Sequence, residues 1–244
     1  MTPRNNKLLA DLPDSEYQKL APHMELVSLV KGETLFKTGD VSTHVYYPVG
    51  AIVSMMNEMS DGYSVETYML GNSSTVGALN MPSFYTAYVR SSGLAYRLPM
   101  SILQREYPFC PVYMKNAMAA MRRMLMQLSQ SIACGKHHSV EQQLIRWILI
   151  TLDRISTHKI VITHQELSRI LGFRREAVTL ALKRLSGLGC ITSRRGEIEV
   201  LHRQGLEARS CDCYWIGQEK KRSVVSAAKV CMVPPTGIEP VSLP

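Results

Sequence analysis

No apolar run in the 244-residue chain is long enough to cross a bilayer. The opening residues Met-Thr-Pro-Arg-Asn-Asn-Lys carry no apolar core of a signal peptide. Both absences point to a cytoplasmic protein with no membrane partner. Cysteine is sparse. Cys110, Cys134, Cys190, Cys211, Cys213 and Cys231 follow no regular spacing, which argues for reduced thiols rather than a disulfide framework. Catalytic signatures are also missing. There is no G-x-S-x-G, no Walker A loop and no H-E-x-x-H. No catalytic residue, cofactor or metal site is expected, and the chain is not read as an enzyme. His137-His138 reads as solvent-facing polar filler at a helix junction. Cys211-Asp212-Cys213 could hold a metal with partners elsewhere or sense oxidants, but no C-x2-C partner or nearby His-x-His supports zinc. The alternative is a structural end to the C-terminal domain.

What is present is a basic segment. Residues 136–205 carry 12 Lys and Arg against 6 Asp and Glu, whereas residues 1–135 carry 11 against 10 and residues 206–244 carry 5 against 4. Most of the net charge of +8 therefore sits on one stretch. That is the footprint of a nucleic-acid-binding domain attached to a nearly neutral one.

Within it, Thr163 to Leu188 reads as two short helices with a sharp turn between them. Thr163 and Glu166 have the T-x-x-E spacing of a capping box. Leu167, Ile170 and Leu171 follow at helical spacing, and Gly172 is placed to end the helix. A second helix runs from about Arg175, with Val178, Ala181, Leu182 and Leu185 on one stripe. Arg175, Glu176, Thr179 and Lys183 share another face. A helix-turn-helix needs this layout, since the first helix holds the second and the second offers polar residues to the major groove. Two amphipathic helices of any α-helical domain, with a solvated charged face, are the alternative. Strand-like Cys190 to Ser193, the turn Arg194-Arg195-Gly196 and alternating Glu197 to Leu201 then read as a two-stranded wing with a basic tip.

Upstream, residues 6–22 read as a short helix or two, with Leu8, Leu9, Leu12, Tyr17 and Leu20 buried. Short β-like runs follow: Met24 to Val30, Thr34 to Lys37, Val45 to Tyr47, Ala51 to Met56, Tyr63 to Leu70 and Tyr88 to Arg97. Glycine-rich turns between them suggest a β-sandwich or roll. After Pro108 and Pro111, the apolar positions Met114, Met118, Met121, Leu125, Leu128 and Ile132 step as a heptad seam for a dimer interface. An amphipathic helix packed on its own domain gives the same pattern. Gly135-Lys-His-His138 is read as the break in this helix. Ser139 and Gln142 open the next one, which turns Leu144, Ile145, Ile148, Leu149 and Leu152 inward with Trp147 in the core. Met232 to Pro244 has four prolines and no periodicity, so the tail 215–244 is expected to be disordered.

Lys31-Gly-Glu-Thr-Leu-Phe-Lys-Thr-Gly-Asp40 and Val45-Tyr-Tyr-Pro-Val-Gly50, followed by the helix pair and wing, resemble the Crp/Fnr family of transcription regulators over roughly residues 6 to 214. The resemblance implies an α+β chain. An N-terminal antiparallel, jelly-roll-like β-roll would occupy residues 1–110, a long dimerisation helix 111–136 and a winged helix-turn-helix DNA-binding domain 137–214. It implies double-stranded DNA with an inverted-repeat site, a second copy of the chain and RNA polymerase as partners. Arg175 and Glu176 match the family's base-reading Arg-Glu pair. Thr163, His164 and Gln165 match phosphate-touching positions. Arg174, Thr179, Lys183 and Arg195 complete the expected DNA contacts. The family often has an arginine where this chain has Leu180.

The effector site departs from the family. Cyclic-nucleotide-binding members carry a Gly-Glu pair and an Arg-Ser-Ala, and here Gly77-Ala78 and Tyr85-Thr86-Ala87 stand in those places. A buried phosphate without a charged partner is costly. Arg90 is the nearest cation, and strand alternation puts it on the face opposite Ala87. Family members with an iron–sulfur cluster have N-terminal cysteines, but the first cysteine here is Cys110. The resulting reading is a dimeric, sequence-specific DNA-binding regulator that needs no cyclic nucleotide. The alternative is a small-molecule- or redox-sensing roll whose basic domain serves another partner.

Overall fold

The computed structural model describes residues 1–216 apart from Ser156 and Arg195. Two short helices, α1 (Lys7–Ala10) and α2 (Asp14–Leu20), lead into seven strands. These are β1 (Glu25–Leu29), β2 (Thr34–Phe36), β3 (His44–Pro48), β4 (Ile52–Glu58), β5 (Ser64–Leu70), β6 (Thr86–Ser91) and β7 (Gly93–Pro99). All pair antiparallel, in one sheet of order β1-β7-β3 and another of order β2-β6-β4-β5. Leu29, Phe36, Val53, Met55, Tyr68, Val76, Ala87 and Val89 fill the space between them. The run Tyr88 to Arg97, expected as one strand, is two strands in different sheets. Gly93 sits at the crossing, where an added Cβ would lie 2.4 Å from the Ala51 nitrogen. Only glycine permits that approach of two backbones.

Helix α3 (Met100–Glu106) precedes the 27-residue α4 (Pro111–His137), which is about 40 Å long at the standard helical rise. Pro111 occupies the first turn, where a missing N–H is harmless. The cap comes from a distant residue. The buried Glu16 carboxylate accepts from the backbone N–H groups of Val112 and Tyr113, both at 2.9 Å. A carboxylate there answers both the open donors and the positive end of the helix dipole. One turn in, the fully buried Tyr47 and Tyr113 hydroxyls meet at 2.7 Å and tie β3 to the helix. Gly135 does not break α4. A helical glycine costs only about 1 kcal/mol, and the chain leaves the helix where Ser139 and Gln142 cap the next one.

The C-terminal unit is α5 (Val140–Leu152), β8 (Lys159–Val161), α6 (His164–Leu171), α7 (Arg175–Gly187), β9 (Ile191–Arg194), β10 (Glu197–Val200), α8 (Arg203–Arg209) and α9 (Asp212–Ile216). The wing is three-stranded, in the order β8-β10-β9, where two strands were expected. Lys159 on β8 pairs with Glu197 and Glu199 on β10 at 3.3 and 3.7 Å. A three-residue run such as Lys159-Ile160-Val161 has too little pattern to read as a strand before its partner is known. Trp215 and Ile216, assigned to a disordered tail, belong to α9. Residues 217–244 of that tail lie outside the described residues.

The roll and the C-terminal unit meet through buried polar groups. Glu66 on β5 accepts from Trp147 Nε1 of α5 at 3.0 Å and pairs with Arg90 Nη2 of β6 at 3.2 Å. Ser54 donates to the same carboxylate and accepts from Arg90 Nε at 2.9 Å. The Arg90 guanidinium also lies 5.8 Å from the centre of the Trp147 ring. Side-chain exposure is 10% for Arg90 and 5% for Glu66, so neither charge has water to fall back on. Removing one partner of a buried pair strands the other. Glu66→Ala is therefore expected to cost about 3–5 kcal/mol in urea unfolding, and Glu66→Gln less, because the amide still hydrogen-bonds. Equal, small losses in the two variants would show that the ion pair contributes nothing.

Candidate nucleic-acid interface

The local sequence builds the helix pair as its caps dictate. The Glu166 N–H donates to Thr163 Oγ1 at 3.1 Å and the Thr163 N–H donates back to Glu166 Oε2 at 2.7 Å, closing the capping box. Gly172 ends α6 at φ 69°, in the left-handed region that glycine adopts without strain. Val178, Ala181, Leu182 and Leu185 of α7 are buried against the domain core.

The opposite face of α7 is open. Arg174, Arg175, Glu176, Leu180 and Lys183 are exposed, with Leu180 at 52%. Thr163 and Gln165 are exposed at the start of α6. No side chain caps the N-terminus of α7. Its free N–H groups and positive dipole end thus stand beside Arg174 and Arg175, an arrangement that attracts anions. Arg195, the expected wing-tip contact, lies outside the described residues.

His164 and Thr179 are partly buried and are not presented like the others. His164 Nδ1 is 3.0 Å from Thr179 Oγ1, and its Nε2 is 3.1 Å from Ser193 Oγ. One imidazole thus joins the first helix, the second helix and the wing. Burial, then the charge of Arg175, hold its pKa below the ordinary histidine value. A neutral ring donates through one nitrogen and accepts through the other, which suits hydroxyls on both sides.

On α4, Met118, Leu125 and Ile132 are 69%, 59% and 66% exposed, and Met121 is exposed beside them. Met114 is partly buried, and Leu128 packs into the core of the roll. The six seam residues thus divide, four facing outward and two at the inner edge.

The roll holds a pocket of about 430 Å³ bounded by α3 and α4. Gly77, Ala78 and Tyr85 line it together, with Met55, Leu79, Phe84 and Met124 among their neighbours and no Lys, Arg, Asp or Glu in the lining. Arg90 is not in the lining and is held by Glu66 and Ser54.

At the far end of α4, His138 is half-buried rather than solvent-facing filler, and Cys211 and Cys213 are buried. Cys134, Cys211 and Cys213 form a small buried cluster. With His138 they bring four potential ligand atoms within 4.8 Å of one another. Burial, followed by neighbouring thiols, pushes the Cys134 thiol up to about 12. The usable sequence signal was Cys134-x3-His138 at the i, i+4 spacing of one helical face, set against C-x-C far along the chain.

Among the described residues no helix is long and apolar enough to cross a membrane. Residues 142–209 match the model of the Crp-like helix-turn-helix domain. No curated protein matches the chain. Solved structures do match. A CRP/FNR-family transcriptional regulator from Thermus thermophilus is 19% identical over 76% of this chain and 98% of its own, with a TM-score of 0.63. A CRP/FNR-family regulator from Eubacterium rectale reaches a TM-score of 0.67 at 16% identity, covering 84% and 98%. FixK2 from Bradyrhizobium japonicum gives 0.64 at 18%, covering 77% and 98%. The chain thus has the fold seen in the CRP/FNR-family transcriptional regulators, and its residues 142–209 match the Crp-like helix-turn-helix domain.

Proposed function

We propose that the chain is a dimeric, sequence-specific DNA-binding transcriptional regulator that works without a cyclic nucleotide. The observation that carries this reading is the open face of α7. Arg174, Arg175, Glu176 and Lys183 stand exposed on it while its other face fills the core of the domain. The regulators of similar fold support the same role for a Crp-like helix-turn-helix. RNA polymerase is the downstream partner and the cytoplasm the compartment in this reading, as befits thiols free of disulfides among the described residues.

Arg175 reads guanine O6 and N7, and Glu176 accepts from cytosine N4. Leu180 meets a thymine methyl. Thr163, Gln165, Lys183 and Arg195 position the domain on phosphates. Arg174 adds a cation at the helix start, while His164 and Thr179 hold the two helices and the wing in register. Arg175→Ala should weaken specific binding by about 1–3 kcal/mol and relax the preference at one pair of each half-site. Lys183→Ala should instead weaken binding to all duplexes and lower the salt slope by about one unit. Anisotropy titrations over a salt series on specific and random duplexes separate the two. Equal losses for Arg175→Ala on both duplexes would remove its reading role.

The outward stripe of Met118, Met121, Leu125 and Ile132 supports pairing of two α4 helices across a two-fold axis. Such a dimer presents recognition helices roughly 34 Å apart, matching an inverted repeat. Leu125→Asp places a carboxylate in that seam, and burying it unpaired is costly. Light scattering should then find monomers that hold DNA weakly, and a dimer that survives the change would move the interface elsewhere.

The roll's pocket suits an uncharged, largely apolar ligand. A cyclic phosphate would find no cation there, because Arg90 is committed to Glu66. Calorimetry with cyclic AMP and cyclic GMP should show no micromolar binding, and DNA affinity should be the same with and without them. Micromolar heats for either nucleotide would overturn this part of the reading.

A further inference from the structure

The far end of α4 carries a second candidate site. Gln130 and Cys134 lie at i, i+4 on one face of the helix, and His138 is the residue that caps its C-terminal end, its N–H bonded to the Cys134 carbonyl. Cys211 and Cys213, from the start of α9, come up against that face. Cys134 Sγ lies 3.7 Å from Cys211 Sγ, and Cys213 Sγ lies 3.4 Å from His138 Nδ1.

We propose that Cys134, His138, Cys211 and Cys213 form a Cys3His site for a single divalent cation of zinc type. The distances fit a mononuclear centre. With Zn–S near 2.3 Å and Zn–N near 2.0–2.1 Å, a tetrahedron sets sulfurs about 3.8 Å apart and a sulfur and nitrogen about 3.6 Å apart. The two measured contacts lie close to those values, and the whole set of four ligand atoms stays within 4.8 Å. Iron–sulfur clusters spread their thiolates over several irons and need a wider cage. A Cys134–Cys211 disulfide would need the sulfurs near 2.05 Å.

The surroundings support the same assignment. Gln130 Nε2 donates to Cys213 Sγ at 2.9 Å, the kind of outer hydrogen bond that orients a thiolate ligand. Three thiolates, one neutral imidazole and a dication sum to one negative charge. Arg146 of α5 supplies the positive charge that reaches Cys134, and its buried Nε makes no hydrogen bond among the described residues. Binding releases three thiol protons to solvent, and no electron moves. The ligands come from two segments more than 70 residues apart in the chain. The ion therefore staples α9, and through it the Crp-like domain, to the end of the long helix.

The test uses the full-length protein, reduced, stripped with chelator and then titrated with cobalt(II). A tetrahedral thiolate site gives intense visible d–d bands and a thiolate-to-cobalt charge-transfer band. These should saturate at about one ion per chain and vanish when zinc(II) displaces the cobalt. Zinc should also protect the three thiols from alkylation and raise the unfolding midpoint by mass action. Cys213→Ser and His138→Gln should weaken binding and alter or abolish the charge-transfer band. Cys110→Ser and Cys231→Ser should leave it unchanged. A wild-type protein that stays colourless with cobalt(II) would overturn the proposal without any variant. So would a band that survives Cys213→Ser, or a Cys134–Cys211 disulfide recovered by peptide mapping of metal-free, unreduced protein.

Discussion

The arrangement of the molecule depends on one buried carboxylate. Glu66 projects from the roll and is met by Arg90 from β6 of the same sheet and by Trp147 from the C-terminal unit. A charge this deep in the protein is tolerated only when all its partners are in place. The docking of the two units thus brings together the partners that Glu66 needs. The same interaction also fixes the place of one cation. It commits Arg90 at the junction and leaves a roll pocket lined without charged side chains.

The long helix α4 is the element that every other part shares. Its N-terminus is fixed by Glu16 and by the Tyr47–Tyr113 contact, so its direction is set by the roll. Its inner edge closes the pocket through Tyr113, Ala117 and Met124. Its outer stripe is apolar and exposed. Its last turn carries Cys134 and leads into His138, facing the end of the Crp-like domain. Arg146 of α5 and Arg154, just beyond its end, donate to Ser131 and Gln127 on α4.

Much of the fold was readable because it follows local rules. Thr163 with Glu166, Ser139 with Gln142, and Gly172 specify helix ends through bonds within a few residues, and the structure has all three where the chain predicts them. The α7 stripe of Val178, Ala181, Leu182 and Leu185 follows from helical period alone. Readings failed where the cause was distant. The run Tyr88 to Arg97 alternates like one strand, and only the crossing at Gly50-Ala51 divides it at Gly93. Gly135 looked like a stop because its position inside a well-supported helix is invisible locally.

The sequence by itself determined the helix-turn-helix, the placing of basic charge on it, the alternating strands of the roll, and the uncharged residues at positions 78 and 85. Each is a matter of residue type, period or short spacing. Tertiary structure decided what required two remote segments to meet. It placed Glu16 on the start of α4, committed Arg90 to Glu66, and added Lys159–Val161 to the wing. It also brought Cys211 and Cys213 to Cys134 and His138. Spacing along the chain cannot reveal such a ligand set, because coordination depends on distances through space, and only packing fixes those.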